Sequence, residues 1–320
     1  MLLQFLFIVI GVALVLWGAD RLTEGAASLA RRLKVPEIII GLTIVAAGTS
    51  APELFVSVVS ALNDTPDLAV GNVVGSNTMN AMLIVGVSAM VAPMVISRST
   101  VSRDIPFSVA ASVLLLLLCM DGMLRWSISG NMISRLDGVV MLLGFALFMA
   151  VALRQALKGH AAGQQETEGQ QMPVWRGLLF ILLGLLCLVV GSNLFVDAAT
   201  KVTQQLGVSQ GVIGLTIVAG GTSLPELATS VVAARKGQSA IAIGNVIGSN
   251  VFNILLILGL TAVISPMQIG GITMVDLLMM LVSMALVWFF SATKLTVARW
   301  EGAVLAFGYV AYVAWLICQL

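Results

Sequence analysis

The chain is expected to fold as an all-α membrane protein, ten transmembrane helices in two inverted five-helix repeats, and three observations lead there. Of its 320 residues 59% are apolar and only 10% are charged, against roughly 25% charged in a soluble domain. Apolar runs of about 20 residues, the length that crosses a ~30 Å hydrocarbon core, recur from end to end. Finally, two blocks of the first half return in the second half at one fixed offset.

In hydrocarbon every backbone polar group must be satisfied within the protein, so spanning elements are helices or closed barrels. Runs such as Val113 to Met120 are continuously apolar, unlike the alternating segments of a barrel. Between glycine, proline and charged breaks, helices are expected at roughly 2–19, 36–62, 68–92, 105–121, 136–153, 177–198, 209–234, 239–264, 272–292 and 301–318. The run from Leu2 to Gly18 lacks a basic segment before it and is followed by Arg21, so it reads as a retained helix. One stretch is polar and of low complexity. It is expected to be a cytoplasmic linker over 154–175, between a first half, 1–153, and a second, 176–320.

Ile40 to Leu54 reads IGLTIVAAGTSAPEL and Ile213 to Leu227 reads IGLTIVAGGTSLPEL, 13 matches in 15 positions at an offset of 173. The same offset superposes GNVVGSNTMN, Gly71 to Asn80, on GNVIGSNVFN, Gly244 to Asn253. A shared register across separate blocks implies duplication of a whole structural unit. With ten helices, one set of loops carries Arg125, Arg135 and Lys201, and the other carries the remaining thirteen of the sixteen basic residues. The positive-inside rule makes the second side cytoplasmic and places both termini outside. Each half has an odd number of helices, so the repeated segments enter from opposite faces, with a site expected at the midplane between helices 2, 3, 7 and 8.

Glu53 and Glu226 fall near the middle of helices 2 and 7. A charge there costs on the order of 2.5–3.5 kcal/mol, which makes each a functional candidate. Pro52 and Pro225 cannot donate to the carbonyl four residues back, so Gly48 and Gly221 are expected to mark local unwinding. Thr49 with Glu53, and Thr222 with Glu226, share a helix face. Ser76 with Asn80 and Ser249 with Asn253 repeat the four-residue spacing, with Asn72, Asn77, Asn245 and Asn250 nearby. These amides serve equally as interhelical hydrogen-bond partners. All are oxygen ligands, which select hard cations such as Ca²⁺ and Na⁺.

Other features exclude classes. A net charge of +1 leaves no basic face for a nucleic acid. Cys119, Cys187 and Cys318 stand singly in apolar runs, and His160 lies in the polar stretch, so neither disulfide nor zinc is expected. Asp20, Glu24, Asp64, Asp67, Asp197 and Asp276 fall near expected helix ends and read as interfacial carboxylates. No H-E-x-x-H, G-x-S-x-G or paired-Asp arrangement suggests an enzyme.

At the two G-T-S-x-P-E and two G-S-N-x-x-N blocks the sequence resembles the cation/calcium exchanger superfamily, whose two alpha-repeats carry such motifs over nearly the whole chain. The resemblance implies a Na⁺/Ca²⁺ antiporter of the short prokaryotic branch, in a bacterial inner membrane, with the lipid bilayer and small inorganic cations as its partners and no cofactor. It implies Glu53 and Glu226 as central Ca²⁺ ligands with the Thr49 and Thr222 carbonyls. Ser50, Ser223, Ser76, Asn80, Ser249 and the Ala46 and Ala219 carbonyls would form Na⁺ sites. Several relatives carry aspartate where Asn253 stands; an amide keeps the oxygen but holds no proton, so the resemblance carries over neither K⁺ cotransport nor a stoichiometry. An H⁺/Ca²⁺ antiporter of the same fold is the alternative, and a cation channel a more remote one.

Overall fold

The computed structural model describes residues 2–119, 132–161, 172–205 and 219–318. Within them the chain is helical almost throughout. The helices are α1 (Leu2–Leu33), α2 (Glu37–Thr49), α3 (Ala51–Leu62), α4 (Pro66–Val91), α5 (Thr100–Cys119), α6 (Arg135–Ala161) and α7 (Val174–Gln205). They continue with α8 (Ala219–Thr222), α9 (Leu224–Arg235), α10 (Ser239–Ile264), α11 (Met274–Lys294) and α12 (Arg299–Cys318). Among the described residues eight helices are long and apolar enough to cross a membrane, and the bent pair α2–α3 makes a ninth. The start of the expected helix 209–234, up to 218, and positions 162–171 of the expected linker lie outside the described residues.

Helix α1 departs most from expectation, running to Leu33 rather than ending near residue 19. No proline interrupts it before Pro36, and its charges find partners on neighbouring turns. Arg21 pairs with Asp20 and Glu24 at 3.1 and 2.9 Å and lies over the Trp17 and Phe180 rings. Lys236, just after α9, reaches back to the Asp20 carboxylate at 2.6 Å and to the Asp20 carbonyl and Thr23 hydroxyl. Asp20 and Glu24 thus lie inside a helix, not at its end. Helix α6 likewise continues past 153 to Ala161.

Polarity is distributed inside out. Phe5, Trp17, Phe55, Leu68, Leu136, Leu182, Phe289, Trp300 and Phe307 are exposed, whereas Glu53, Glu226, Ser57, Asn80 and Asn253 are fully buried. In α4 and α10, 78% of the most apolar window is enclosed, against 22% in α1 and α12, so the helices carrying the second repeated block form the centre.

In hydrocarbon, helix association depends on close packing, which small residues permit. Helices α1 and α7 run antiparallel along glycines spaced by seven. A Cβ on Gly11 would stand 2.8 Å from the Gly191 carbonyl, one on Gly18 2.7 Å from that of Gly184, and one on Gly25 2.7 Å from that of Gly177. Gly86 meets Gly302 between α4 and α12, and Gly138 meets Gly259 between α6 and α10. Two short antiparallel strand pairs also join the halves: β1 (Met94–Val95) with β4 (Thr296–Val297), and β2 (Met132–Ile133) with β3 (Met267–Gln268). In each pair the strand following one half's central helix meets the strand preceding the other half's last helix.

Candidate cation site

The proline-glutamate pairs act through the backbone. Helix α2 stops at Ser50, φ −83° and ψ 7°, and the chain bends by 46° before α3 continues with Pro52 in its first turn. The second copy breaks at Ser223, φ −90° and ψ 6°, ahead of α9 and Pro225. Proline tolerates a first turn, where its missing N–H would be unpaired anyway. Glu53 and Glu226 consequently occupy the first turns of new helices, where the positive end of the helix dipole favours a carboxylate. Leu185 and Val196 of α7 lie against Gly48 and Gly221, next to the two breaks.

Each break throws its serine across to the other half. Ser50 donates to Glu226 Oε1 at 3.0 Å, and Ser223 donates to Glu53 Oε1 at 3.1 Å. Ser223 also bonds Ser76 at 3.1 Å, and Ser249 lies 3.4 Å from Glu226 Oε1. Thr49 stands beside Glu226 and donates to Asn245 Oδ1 at 3.1 Å, while Thr222 stands beside Glu53. The Ala46 carbonyl accepts from the Ser50 N–H at 3.0 Å and approaches Thr49 Oγ1 at 3.4 Å. Ala219 opens α8.

Four further amides frame this centre. Asn72 donates to the Glu53 carbonyl and Ser57 at 3.3 and 3.1 Å; Asn245 donates to the Glu226 carbonyl and Ser230 at 3.4 and 3.0 Å. Asn77 and Asn250 lie between α4 and α10, in contact with the side chains of Asn253 and Asn80. There α4 and α10 widen into π-helical turns, over Asn80–Ile84 and Phe252–Leu258. Such an insertion rotates the remainder of the helix by about one residue, roughly 100°.

Ser57 and Ser230 were not anticipated. They repeat at the same offset of 173 but lie beyond the near-identical block, so only a position-by-position comparison of the halves would have revealed them.

Four buried acceptors in this centre find no hydrogen-bond donor among the described residues: Glu53 Oε2, Glu226 Oε2, Asn80 Oδ1 and Asn253 Oδ1. A buried acceptor without a partner is costly, more so if charged. Two carboxylates with hydroxyl and amide oxygens are the donor set of a hard cation. No group of three or more His, Cys, Asp or Glu gathers among the described residues.

The sequence profile of the family described as sodium/calcium exchanger protein matches residues 3–154 and 176–318. The chain is 35% identical over 328 residues to the inner membrane protein YrbG of Escherichia coli, covering 99% of this chain and 97% of that one. It is 32% identical over 339 residues to the sodium/calcium exchanger MaX1 of Methanosarcina acetivorans, covering 97% of each. Its fold superposes on the sodium-calcium exchanger NCX_Mj with a TM-score of 0.83 at 28% identity, over 98% of both chains. Profile, relatives and fold agree, and the chain belongs to the sodium/calcium exchanger family, whose members are antiporters of the membrane.

Proposed function

We propose that this chain exchanges Ca²⁺ for Na⁺ across the inner (plasma) membrane by alternating access. The observation that carries the reading is the reciprocal centre in which Ser50 holds Glu226 and Ser223 holds Glu53, leaving the second oxygen of each carboxylate unpartnered. Ca²⁺ takes ~6–8 oxygens at ~2.3–2.6 Å in flexible geometry, and two carboxylates balance its charge. Thr49, Thr222, Ser50, Ser223, Ser76 and Ser249, with the Ala46 and Ala219 carbonyls, supply neutral oxygens suited to Na⁺. Asn80 and Asn253 add amide oxygens. Because these ligands are shared, the two ions compete for one site, which is the physical basis of exchange.

Two equivalent halves of opposite orientation would present such a site to either face in turn. The inverted-repeat reading is supported by α1 and α7, whose glycines recur at an offset of 166 yet meet in reverse order, Gly11 with Gly191 and Gly25 with Gly177. The loop charges orient the linker to the cytoplasm and both termini outward. The name of the Escherichia coli relative supports the inner membrane.

The test is radioactive Ca²⁺ uptake into proteoliposomes under Na⁺, K⁺ or H⁺ gradients imposed singly. Uptake is expected only with internal Na⁺. Uptake driven by pH without Na⁺ would replace this reading with H⁺/Ca²⁺ antiport, and Ca²⁺ flux without counter-ion would make the protein a channel. Within the site, Ser50→Ala and Ser223→Ala should each raise the KM for Ca²⁺ by about ten- to a hundredfold, since a hydrogen bond to a charged group is worth about 1.5–3 kcal/mol. Concentration dependence of the same uptake measures it.

A further inference from the structure

We infer that Asn77 and Asn250 are positioning residues that lock the ligand amides of Asn253 and Asn80, each across the boundary between halves, with their oxygens turned toward the cation. The inference rests on the exchanger reading and deepens it.

The geometry forms a chain of constraints. Asn77 Nδ2 donates to the Asn250 carbonyl at 3.2 Å, and Asn250 Nδ2 approaches the Asn77 carbonyl at 3.5 Å and the Met284 sulfur at 3.6 Å. A backbone carbonyl only accepts, so each of these amides must turn its nitrogen to the opposing backbone, leaving its own oxygen as the free acceptor. That oxygen then dictates the next amide. Asn253 Nδ2 donates to Asn77 Oδ1 and Asn80 Nδ2 donates to Asn250 Oδ1, both at 2.9 Å. With nitrogen committed, the remaining atoms, Asn253 Oδ1 and Asn80 Oδ1, are the ones left buried without a donor. All four side chains are at most 2% exposed, so water does not compete.

The crossing matters because an unrestrained amide presents nitrogen as readily as oxygen, and an N–H₂ turned to a cation repels it. A carboxylate at 253 would place an acceptor against Asn77 Oδ1.

The test is equilibrium binding of radioactive Ca²⁺ to the purified full chain in detergent, read as double-mutant cycles. Asn77→Ala should weaken Ca²⁺ binding about tenfold in the otherwise native chain and less than twofold when Asn253 is already alanine. In an Asn80→Ala background it should keep its tenfold effect. Asn250→Ala should mirror this, its effect vanishing with Asn80→Ala and surviving Asn253→Ala. A purely structural role would cost the same in every background, and that outcome overturns the inference. So does unchanged affinity in Asn77→Ala and Asn250→Ala. The two cycles are independent, so if a variant of one fails to fold the other decides. Failure of the underlying reading looks different: Ca²⁺ binding to the native chain would be absent, or Glu53→Gln would leave it intact.

Discussion

Glu53→Gln and Glu226→Gln should each abolish Na⁺-driven Ca²⁺ uptake while leaving the protein folded in the membrane. Glutamine preserves the volume and one acceptor oxygen, so the bond from Ser223 or Ser50 survives. What is lost is one of the two charges balancing a dication. Unit charges 4 Å apart interact by about 4 kcal/mol at an effective dielectric of 20, and a dication doubles this, so affinity should fall by at least about 10³-fold. The two variants should behave alike, because the carboxylates have reciprocal partners. Uptake within tenfold of the native protein for either one, with a monodisperse elution profile, would remove that glutamate from the site.

The second large effect is expected in the seam between α1 and α7. A Cβ on Gly184 would lie 2.7 Å from both the Gly18 carbonyl and the Leu22 amide nitrogen. These are backbone atoms, so the two helices must separate, and the close contact extends over three glycine pairs that would open with them. Overpacking typically costs about 1–3 kcal/mol. Gly184→Ala should fall at the upper end of that range, and Gly184→Val should lose both the folded state on heating in detergent and transport. Gly75→Ala is the control, because a Cβ there meets nothing within 4 Å; its stability should be unchanged or raised by about 0.5–1 kcal/mol. Equal melting temperatures for Gly184→Val and the native chain would contradict the packing.

The interior of the site explains how polar residues persist at this depth. Asn72 and Asn245 each fasten a glutamate's own carbonyl to a serine one turn on, Ser57 or Ser230, so the carboxylate-bearing turn is held rigidly to the next helix. Preorganised oxygens lose less freedom when a cation binds, which leaves more of the interaction for affinity.

Much of this was legible in the residues alone. Composition and run length determined a helical membrane protein, because hydrocarbon leaves the backbone few choices. The offset of 173 exposed the duplication and singled out Glu53, Glu226, Ser50, Ser223, Ser76 and Ser249, since chemistry and register recur together. The prolines marked breaks that the structure has at Ser50 and Ser223. What stayed hidden was pairing between distant segments. Nothing in the order of residues says that Ser50 reaches Glu226 rather than Glu53, that Asn77 meets Asn253, or that Gly18 faces Gly184. Nor does it show that Arg21 would pair with Asp20 and Glu24, and Asp20 with the distant Lys236, inside a helix that runs on to Leu33. Local spacing determines which side chains share a helix face. Which faces meet is decided only when two halves, separated by more than 150 residues, close on one another and must satisfy each other's buried polar groups.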